Sequence, residues 1–291
     1  MGRDEEVRFN EREWVNPLPL ENTNISRKAA RVKDKVKEIA LNEGACKVGI
    51  ASVERFEGAP KGHAPTDFIP DAKSVVSLGV RLLDTAVEWD KLFRNSEIVP
   101  EELRVMLAQG YIYETVAYSM VNTRLEQIGL SIALFLEKKG YQSMCFPATF
   151  DMHYEALMRK IPNFLAPFCH RHAAVRAGLG EFGRNNLVLT PEYGPRIRLN
   201  SVITSAKLEP DPIIKEKLCI ERCSLCIENC GVKALSVKEN LNWNEIWLDP
   251  PSIIDKHACD SRMVEAQCEG KCIRMCPVGG KRKGGNEKVL C

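Results

Sequence analysis

The chain has 291 residues, 44% hydrophobic and 27% charged, with a formal net charge of +2. That balance suits a soluble globular protein with a full-sized core, in one large or two smaller domains, and it excludes a protein drawn to nucleic acid by overall charge. No apolar run approaches the ~20 residues of a membrane span, and the acidic, polar start MGRDEEVRFNEREW lacks the apolar stretch and twin arginine of an export signal, so the expected compartment is the cytoplasm.

Residues 1–25 carry no periodicity and contain Pro17 and Pro19, which reads as an extended arm. Ser26 can cap a helix whose apolar stripe is Ala29, Val32, Val36, Ile39 and Ala40, ending near Gly44. Cys46–Ser52 and Ser74–Val80 read as short buried strands, with a Gly- and Pro-rich loop between them. Pro100 is a good first residue for a long helical stretch from Glu101 to Lys139, stopped by Gly140 and long enough to expect a break at Gly110 or Gly129. Tyr141–Phe146 and Ile197–Thr204 are further strand candidates. Strands alternating with helices argue a mixed α/β (α+β) sandwich over residues 26–210. Beyond Pro210 and Pro212 the composition turns to cysteines and short elements, which marks a second domain over 211–291.

Nine of the twelve cysteines lie in the last quarter of the chain. Cys219, Cys223, Cys226 and Cys230 are spaced C-x3-C-x2-C-x3-C; Cys268, Cys272 and Cys276 are spaced C-x3-C-x3-C, with Pro277 after them and Cys259 upstream. Two-cluster ferredoxins use C-x2-C-x2-C-x3-C-P, and the fourth cysteine of each run ligates the other cluster. A cubane needs four converging thiolates, three from a tight loop and one from a distant segment. On that logic Cys219, Cys223, Cys226 and Cys276 hold one [4Fe-4S] cluster, and Cys230, Cys259, Cys268 and Cys272 hold the other. Cys230 is expected to begin a helix (GVKALSV). Four-cysteine zinc sites are the alternative, but they pair two knuckles across a spacer. A reducing cytoplasm favours metal binding over disulfides. Cys46, Cys145 and Cys291 read as inert, whereas Cys169, beside His170 and His172, is a candidate site residue.

Residues 177–190 read AGLGEFGRNNLVLT and run on into PEYGPRIRL. Taken alone, G-L-G-E-F-G matches a dinucleotide fingerprint, but no buried strand runs into it and no acidic residue follows at the ribose spacing. Together with EGACKVGIAS, PDAKSVVSLG and the two cysteine runs, these motifs resemble the cobalamin-dependent iron–sulfur reductases, that is, the reductive dehalogenases and epoxyqueuosine reductases, over roughly residues 30–280. The Gly-Glu-x-Gly-Arg and Thr-Pro-Glu-Tyr-Gly stretches look closer to the dehalogenases.

The resemblance implies a nitroreductase-like α/β core holding base-off cobalamin, followed by a double-[4Fe-4S] ferredoxin-like domain. It implies a reductase that draws electrons from a ferredoxin- or flavodoxin-type donor and reduces a small molecule. The alternatives are an electron-transfer or corrinoid-reactivating protein without turnover, and a flavin in place of the corrin. Leu179, Gly180, Glu181, Gly183, Arg184, Asn185, Asn186, Thr190, Tyr193, Gly194 and Arg196 would contact the corrin, and Tyr154, Tyr193, His170 and His172 are the candidates for proton delivery. In the epoxyqueuosine reductases a V-D-T-G-P segment carries the acid; the matching stretch here is NFLAPFCHR, with Phe164 at the acid position. Nucleic acid is therefore not expected as a partner.

Overall fold

The computed structural model describes residues 22–149, 166–259, 268 and 270–279. The expectations placed on the N-terminal arm as far as residue 21, on Tyr154, on Phe164 and on Cys291 lie outside them.

The centre is a four-stranded sheet in the order β1 (Lys47–Ser52), β2 (Ser74–Arg81), β6 (Ile197–Thr204), β3 (Ser143–Cys145). Every pairing is antiparallel. Antiparallel sheets often leave one face wet and alternate polar with apolar residues. Here both faces are covered, so β2 is buried along its first six residues and reads as the near-continuous run SVVSLGV. Alternation still assigns the faces. Ile50, Val76 and Val202 pack with Leu125, Ile128, Ile132 and Leu136 of the helix Met120–Lys138, and with Val36 and Ala40 of the N-terminal helix. Ala51, Val75 and Ile203 point the other way, against Ala173, Ala174 and Val175 of the helix His170–Arg176. The result is a helix–sheet–helix sandwich, a mixed α/β fold as expected. A two-stranded hairpin, β4 (Glu181–Phe182) with β5 (Val188–Leu189), lies between β3 and β6 in sequence.

Several elements differ from the sequence expectation. The first helix spans Asn22–Asn42, so Ser26 sits inside it rather than capping it. The long helical stretch does not break at Gly110 or Gly129. Instead Met106–Ser119 wind as wide π-type turns, between α-helical Glu101–Val105 and Met120–Lys138. Gly129 stays helical because its missing side chain leaves room for Asn200 and Cys145 against the helix: a Cβ there would lie 3.3 Å from Asn200 Nδ2. Cys230 does not start a helix. Residues 231–234 turn, with Lys233 at φ 53°, into β7 (Leu235–Val237), which pairs with β8 (Ser252–Ile254).

Asp211 stitches the start of the cysteine-bearing segment to the core. Its carboxylate takes Lys33 Nζ at 2.9 Å, Lys37 Nζ at 2.7 Å and the Ile50 amide at 2.9 Å, while its own amide donates to the Ile50 carbonyl at 2.8 Å. Partial burial pushes its pKa up, but the two lysines outweigh burial and hold it below the ordinary carboxylate value. A depressed pKa contributes stability above the unfolded value of about 3.9 and loses it as pH falls through the folded value. Asp211→Asn should therefore lower stability at pH 7 by about 1 kcal/mol, discounted for solvent screening. The gap to the wild type should close below about pH 4, as urea midpoints across that range would register.

Candidate functional site: two pockets on either side of one short strand

The glycine-rich hairpin tightens at its tip. Gly183 N donates to Leu187 O at 2.8 Å, Asn186 N donates to Gly183 O at 2.9 Å, and Asn186 adopts φ 62°, a conformation asparagine tolerates better than most residues. Behind this tip, Cys219, Cys223, Cys226 and Cys276 line one small pocket together with Gly183, Arg184, Asn185 and Leu189. These are the four cysteines grouped by their spacing, with Cys276 arriving from the second run. Among the described residues, no group of three or more His, Cys, Asp or Glu side chains is placed to hold a single metal ion. The four thiols ring a pocket. Burial, with the neighbouring thiols adding to it, pushes the Cys226 thiol up to about 11 and the Cys276 thiol up to about 12. Loading metal must displace those protons, so assembly is favoured as pH rises. In the second group, burial and then the neighbours Cys259, Cys268 and Cys226 push Cys272 up to about 12.

The backbone of the cysteine segments is held by polar side chains of the core. Arg184 Nη1 donates to the Cys223 carbonyl, Asn185 Nδ2 to that of Cys272 at 3.3 Å, and Arg196 to those of Cys276 and Arg274 at 3.4 and 3.3 Å. Glu181 is fully buried. Its carboxylate accepts the amides of Leu218 at 2.6 Å, Cys219 at 2.7 Å and Trp247 at 3.1 Å, and pairs with Lys217 Nζ at 3.0 Å.

On the other side of β5 lies a cavity of 610 Å³, walled by residues 146–149, 166–171, 187–188 and 197–199 with Leu82, Pro195 and Ile273. The strand is the partition: Val188 lines the cavity and Leu189 the cysteine pocket. The cavity is mainly apolar, with Phe146 stacked on Phe168 at 5.1 Å between ring centres. Its polar lining is Thr149, Cys169, His170, Arg171 and Arg198. Arg198 lies 3.9 Å above the Tyr118 ring and donates to Asn122 Oδ1 at 2.6 Å. His170 binds the Pro147 carbonyl through Nε2 at 2.9 Å and Ser201 Oγ through Nδ1 at 3.0 Å. A carbonyl only accepts, so Nε2 carries the hydrogen. Burial, helped by Arg198, lowers the His170 pKa to about 4. Both ring nitrogens are thus engaged, with the Nε2 hydrogen committed to the Pro147 carbonyl.

The eleven residues expected to meet a corrin do not line this cavity. Gly183, Arg184 and Asn185 face the cysteine pocket, and Glu181 and Arg196 hold the cysteine backbone. Thr190 and Gly194 bridge one another in a tight turn. Tyr193 lies under the Arg81 guanidinium, 5.5 Å from its ring centre, away from the position expected of a proton donor. Leu179 and Gly180 are packing positions: a Cβ on Gly180 would overlap the Leu189 carbonyl. Asn186 differs from the rest, because its Oδ1 is buried with no protein partner while Arg171 donates to its carbonyl at 2.6 Å. His172 lines a second pocket of 110 Å³ rather than the large cavity. Arg198 and Phe146 escaped the sequence reading, since one arginine in an apolar strand and one phenylalanine at a strand end carry no motif.

The comparisons with known proteins agree with the motif resemblance. No protein-family model matches the chain. It is 25% identical over 257 residues to a tetrachloroethene reductive dehalogenase of Desulfitobacterium hafniense, covering 80% of this chain and 42% of that one. It is 30% identical over 114 residues to the epoxyqueuosine reductase of Staphylococcus aureus, covering 33% of this chain and 30% of that one. The chain is a homologue of reductive dehalogenases and epoxyqueuosine reductases. Its homologues are thus oxidoreductases, and it spans less than half the length of these two. The fold agrees with solved structures of both kinds. A catabolic reductive dehalogenase in complex with 3-bromo-4-hydroxybenzoic acid matches at TM-score 0.58 and 21% identity, over 86% of this chain and 32% of that one. An epoxyqueuosine reductase with a tRNA stem loop matches at TM-score 0.54 and 18% identity, over 86% of this chain and 65% of that one. Among the described residues no helix is long and apolar enough to cross a membrane.

Proposed function

We propose that the chain is a corrinoid- and iron–sulfur-dependent reductase, whose cysteine segments pass single electrons from a ferredoxin- or flavodoxin-type donor toward a small molecule held in the 610 Å³ cavity. The observation that carries this reading is the partition: one residue of β5 faces four gathered cysteines and the next faces an apolar chamber. A cluster on one side and an acceptor on the other would be separated by about one side-chain layer.

Cobalamin, when bound, supplies a strongly reducing and nucleophilic cobalt centre, and the chain supplies position and a dry site. The lining fits a flat, amphipathic ring: Phe146, Val188 and Leu199 offer apolar contact, and Arg171 and Arg198 can bind amide or phosphate oxygens. Asn186 does not line the cavity, but its carbonyl accepts from the cavity residue Arg171, and its buried Oδ1 is an acceptor without a protein donor just behind that wall. Arg184 and Arg196, held on the cysteine carbonyls, would offset the negative charge of the nearer cluster.

Anaerobic reconstitution with iron, sulfide and hydroxocobalamin should give about eight irons per chain, as two [4Fe-4S] clusters require, and a base-off Co(II) EPR signal. A flavin spectrum instead, or no corrin uptake with both clusters filled, would end this reading. The crossed ligation has its own signature. Cys223→Ser and Cys276→Ser should each remove the same cluster signal, and their combination should remove no more. Cys230→Ser and Cys272→Ser should both spare that signal and remove the other.

Substrate trials should include tetrachloroethene and 3-bromo-4-hydroxybenzoic acid. A tRNA stem loop belongs beside them: a structural neighbour holds one, which takes away the support for setting nucleic acid aside. Reduction of none of these by a protein that still accepts electrons and binds corrin would favour a corrinoid-reactivating role.

A further inference from the structure

The reduction proposed above consumes protons, and the large cavity is poor in groups that can give them. Among its described lining residues, Arg171 and Arg198 stay protonated, both nitrogens of His170 are engaged, and the Thr149 hydroxyl is bonded to Tyr118 Oη at 2.6 Å. Cys169 remains. It lines the 610 Å³ cavity and also the 110 Å³ pocket on its far side. His172, one helical turn on, lines only that second pocket and places Nδ1 2.9 Å from Cys169 Sγ. Its Nε2 lies 3.6 Å from Asp249 Oδ1, and Asp249 has 68% of its side chain in solvent.

We propose that Cys169 and His172 form a proton relay through the wall between the two pockets, with Cys169 as the catalytic acid facing the substrate and His172 as the group that recharges it. This rests on the reductase reading above. For a carbon–halogen bond the reaction takes two electrons and one proton, forms C–H and releases halide; for an epoxide it takes two electrons and two protons and yields an alkene and water. The electrons come from the low-potential donor. The proton leaves when the Cys169 S–H bond breaks. As His172 passes its Nδ1 proton to the sulfur, Nε2 takes one from water beside Asp249, the hydroxide is neutralised by the solvent buffer, and proton exchange with solvent returns the ring to the Nδ1–H form for the next turnover.

The surroundings suit a thiol that releases its proton readily. Burial opposes the thiolate, but the His172 hydrogen bond and the Arg171 charge outweigh it and bring Cys169 down to about 6. Lys256 adds positive charge from the cysteine-bearing segment. Of the other basic groups lining the second pocket, His63 is held by the Ala166 and Pro167 carbonyls, and Arg176 donates to the Arg55 and Leu248 carbonyls and pairs with Asp249 Oδ1 at 3.0 Å.

Two measurements on the cluster-loaded protein test the relay. The first is alkylation by iodoacetamide under anaerobic conditions, read at the Cys169 peptide by mass spectrometry. Half-maximal reactivity is expected near pH 6 in the wild type, moving toward the ordinary thiol value of about 8.5 in His172→Gln. A wild-type half-point already near that ordinary value overturns the proposal. The second is turnover with a chemical reductant, using 3-bromo-4-hydroxybenzoic acid as probe. Cys169→Ala should lose about 100-fold or more in product formation, the range of general acid catalysis, while reduction of its clusters is unchanged. Cys46→Ala, at a cysteine that lines neither pocket, should keep most activity. Wild-type rate and pH profile in Cys169→Ala, or a matching loss in Cys46→Ala, overturns the relay. A wild type that binds no corrin and reduces nothing overturns the parent reading and the relay with it, yet alkylation near pH 6 would leave the activated thiol standing.

Discussion

Glu181→Gln is expected to release the loop that carries Cys219 and to cut the iron content from about eight to about four per chain on [4Fe-4S] stoichiometry. The carboxylate is fully buried and acceptor-only, and it meets four donors: three amides and the Lys217 ammonium. A carboxamide keeps one acceptor oxygen and turns an NH2 toward the remaining donors. Each carboxylate oxygen takes two donors, the Leu218 and Cys219 amides on Oε1 and Lys217 Nζ and the Trp247 amide on Oε2, so the carboxamide oxygen keeps one pair and its NH2 faces the other. In either orientation Lys217, over the Trp247 ring at 3.2 Å, is left partly buried without its counter-charge. Breaking a buried pair by changing one partner costs about 3–5 kcal/mol. Lys217, Leu218 and Cys219 are consecutive, so the loss falls on the segment 217–219, and the cluster assigned to Cys219, Cys223, Cys226 and Cys276 should go while the other persists. Iron analysis with EPR before and after reduction measures this. Two intact cluster signals in Glu181→Gln would show that the carboxylate does not position that loop.

Gly194→Ala should have a comparable effect from the opposite side of the same pocket. Gly194 is at φ 52°, where a Cβ is disfavoured by about 1–2 kcal/mol. A Cβ would also fall on the Val278 carbonyl, and a Cβ on the facing Gly279 would fall on the backbone of Tyr193 and Gly194. The turn Thr190–Gly194 and the turn after Cys276–Pro277 therefore meet backbone to backbone, two glycines facing each other. Neither backbone can rotate away as a side chain could, so overpacking adds about 1–3 kcal/mol. The combined cost of about 2–5 kcal/mol should displace Cys276 from its three partners, giving a lower Tm and the same cluster loss as Cys276→Ser. Ala at Gly110, where a Cβ meets nothing within 4 Å, is the control and should leave iron content unchanged.

These two positions also explain why part of the site was legible from the residues and part was not. Glu181 and Gly194 were both singled out in the sequence, through the GEFGR and PEYGP stretches, but as contacts to a corrin. A motif marks a residue under constraint without saying which neighbour imposes it. The partners of Glu181 lie 37, 38 and 66 positions away. The pocket grouping of Cys219, Cys223, Cys226 and Cys276 was legible because a tight loop fixes three of the four locally, and the C-P ending marks the fourth. The strands Ser74–Arg81 and Ile197–Thr204 were legible because each is rich in Val, Ile and Leu, as burial on both faces requires. GVKALSV was misread as helical because its strand pairing comes from Ser252–Ile254, a segment distant in sequence, and because Lys233 takes a positive φ. The contacts of His170, a candidate for proton delivery, were hidden in the sequence for a similar reason. Only the fold brings Pro147 and Ser201 to its two nitrogens.

The amino-acid sequence by itself determined the local facts: two cysteine runs with cluster spacing, a core of alternating strands and helices, and motifs shared with two groups of reductases. Spacing along a chain sets those directly, through loop length and side-chain period. The tertiary structure alone decided on which side of Val188–Leu189 each residue lies. That depends on the docking of segments far apart in sequence, and it places Gly183, Arg184 and Asn185 of the glycine-rich motif at the cysteine pocket while leaving Cys169, Arg171 and Arg198 to face the cavity.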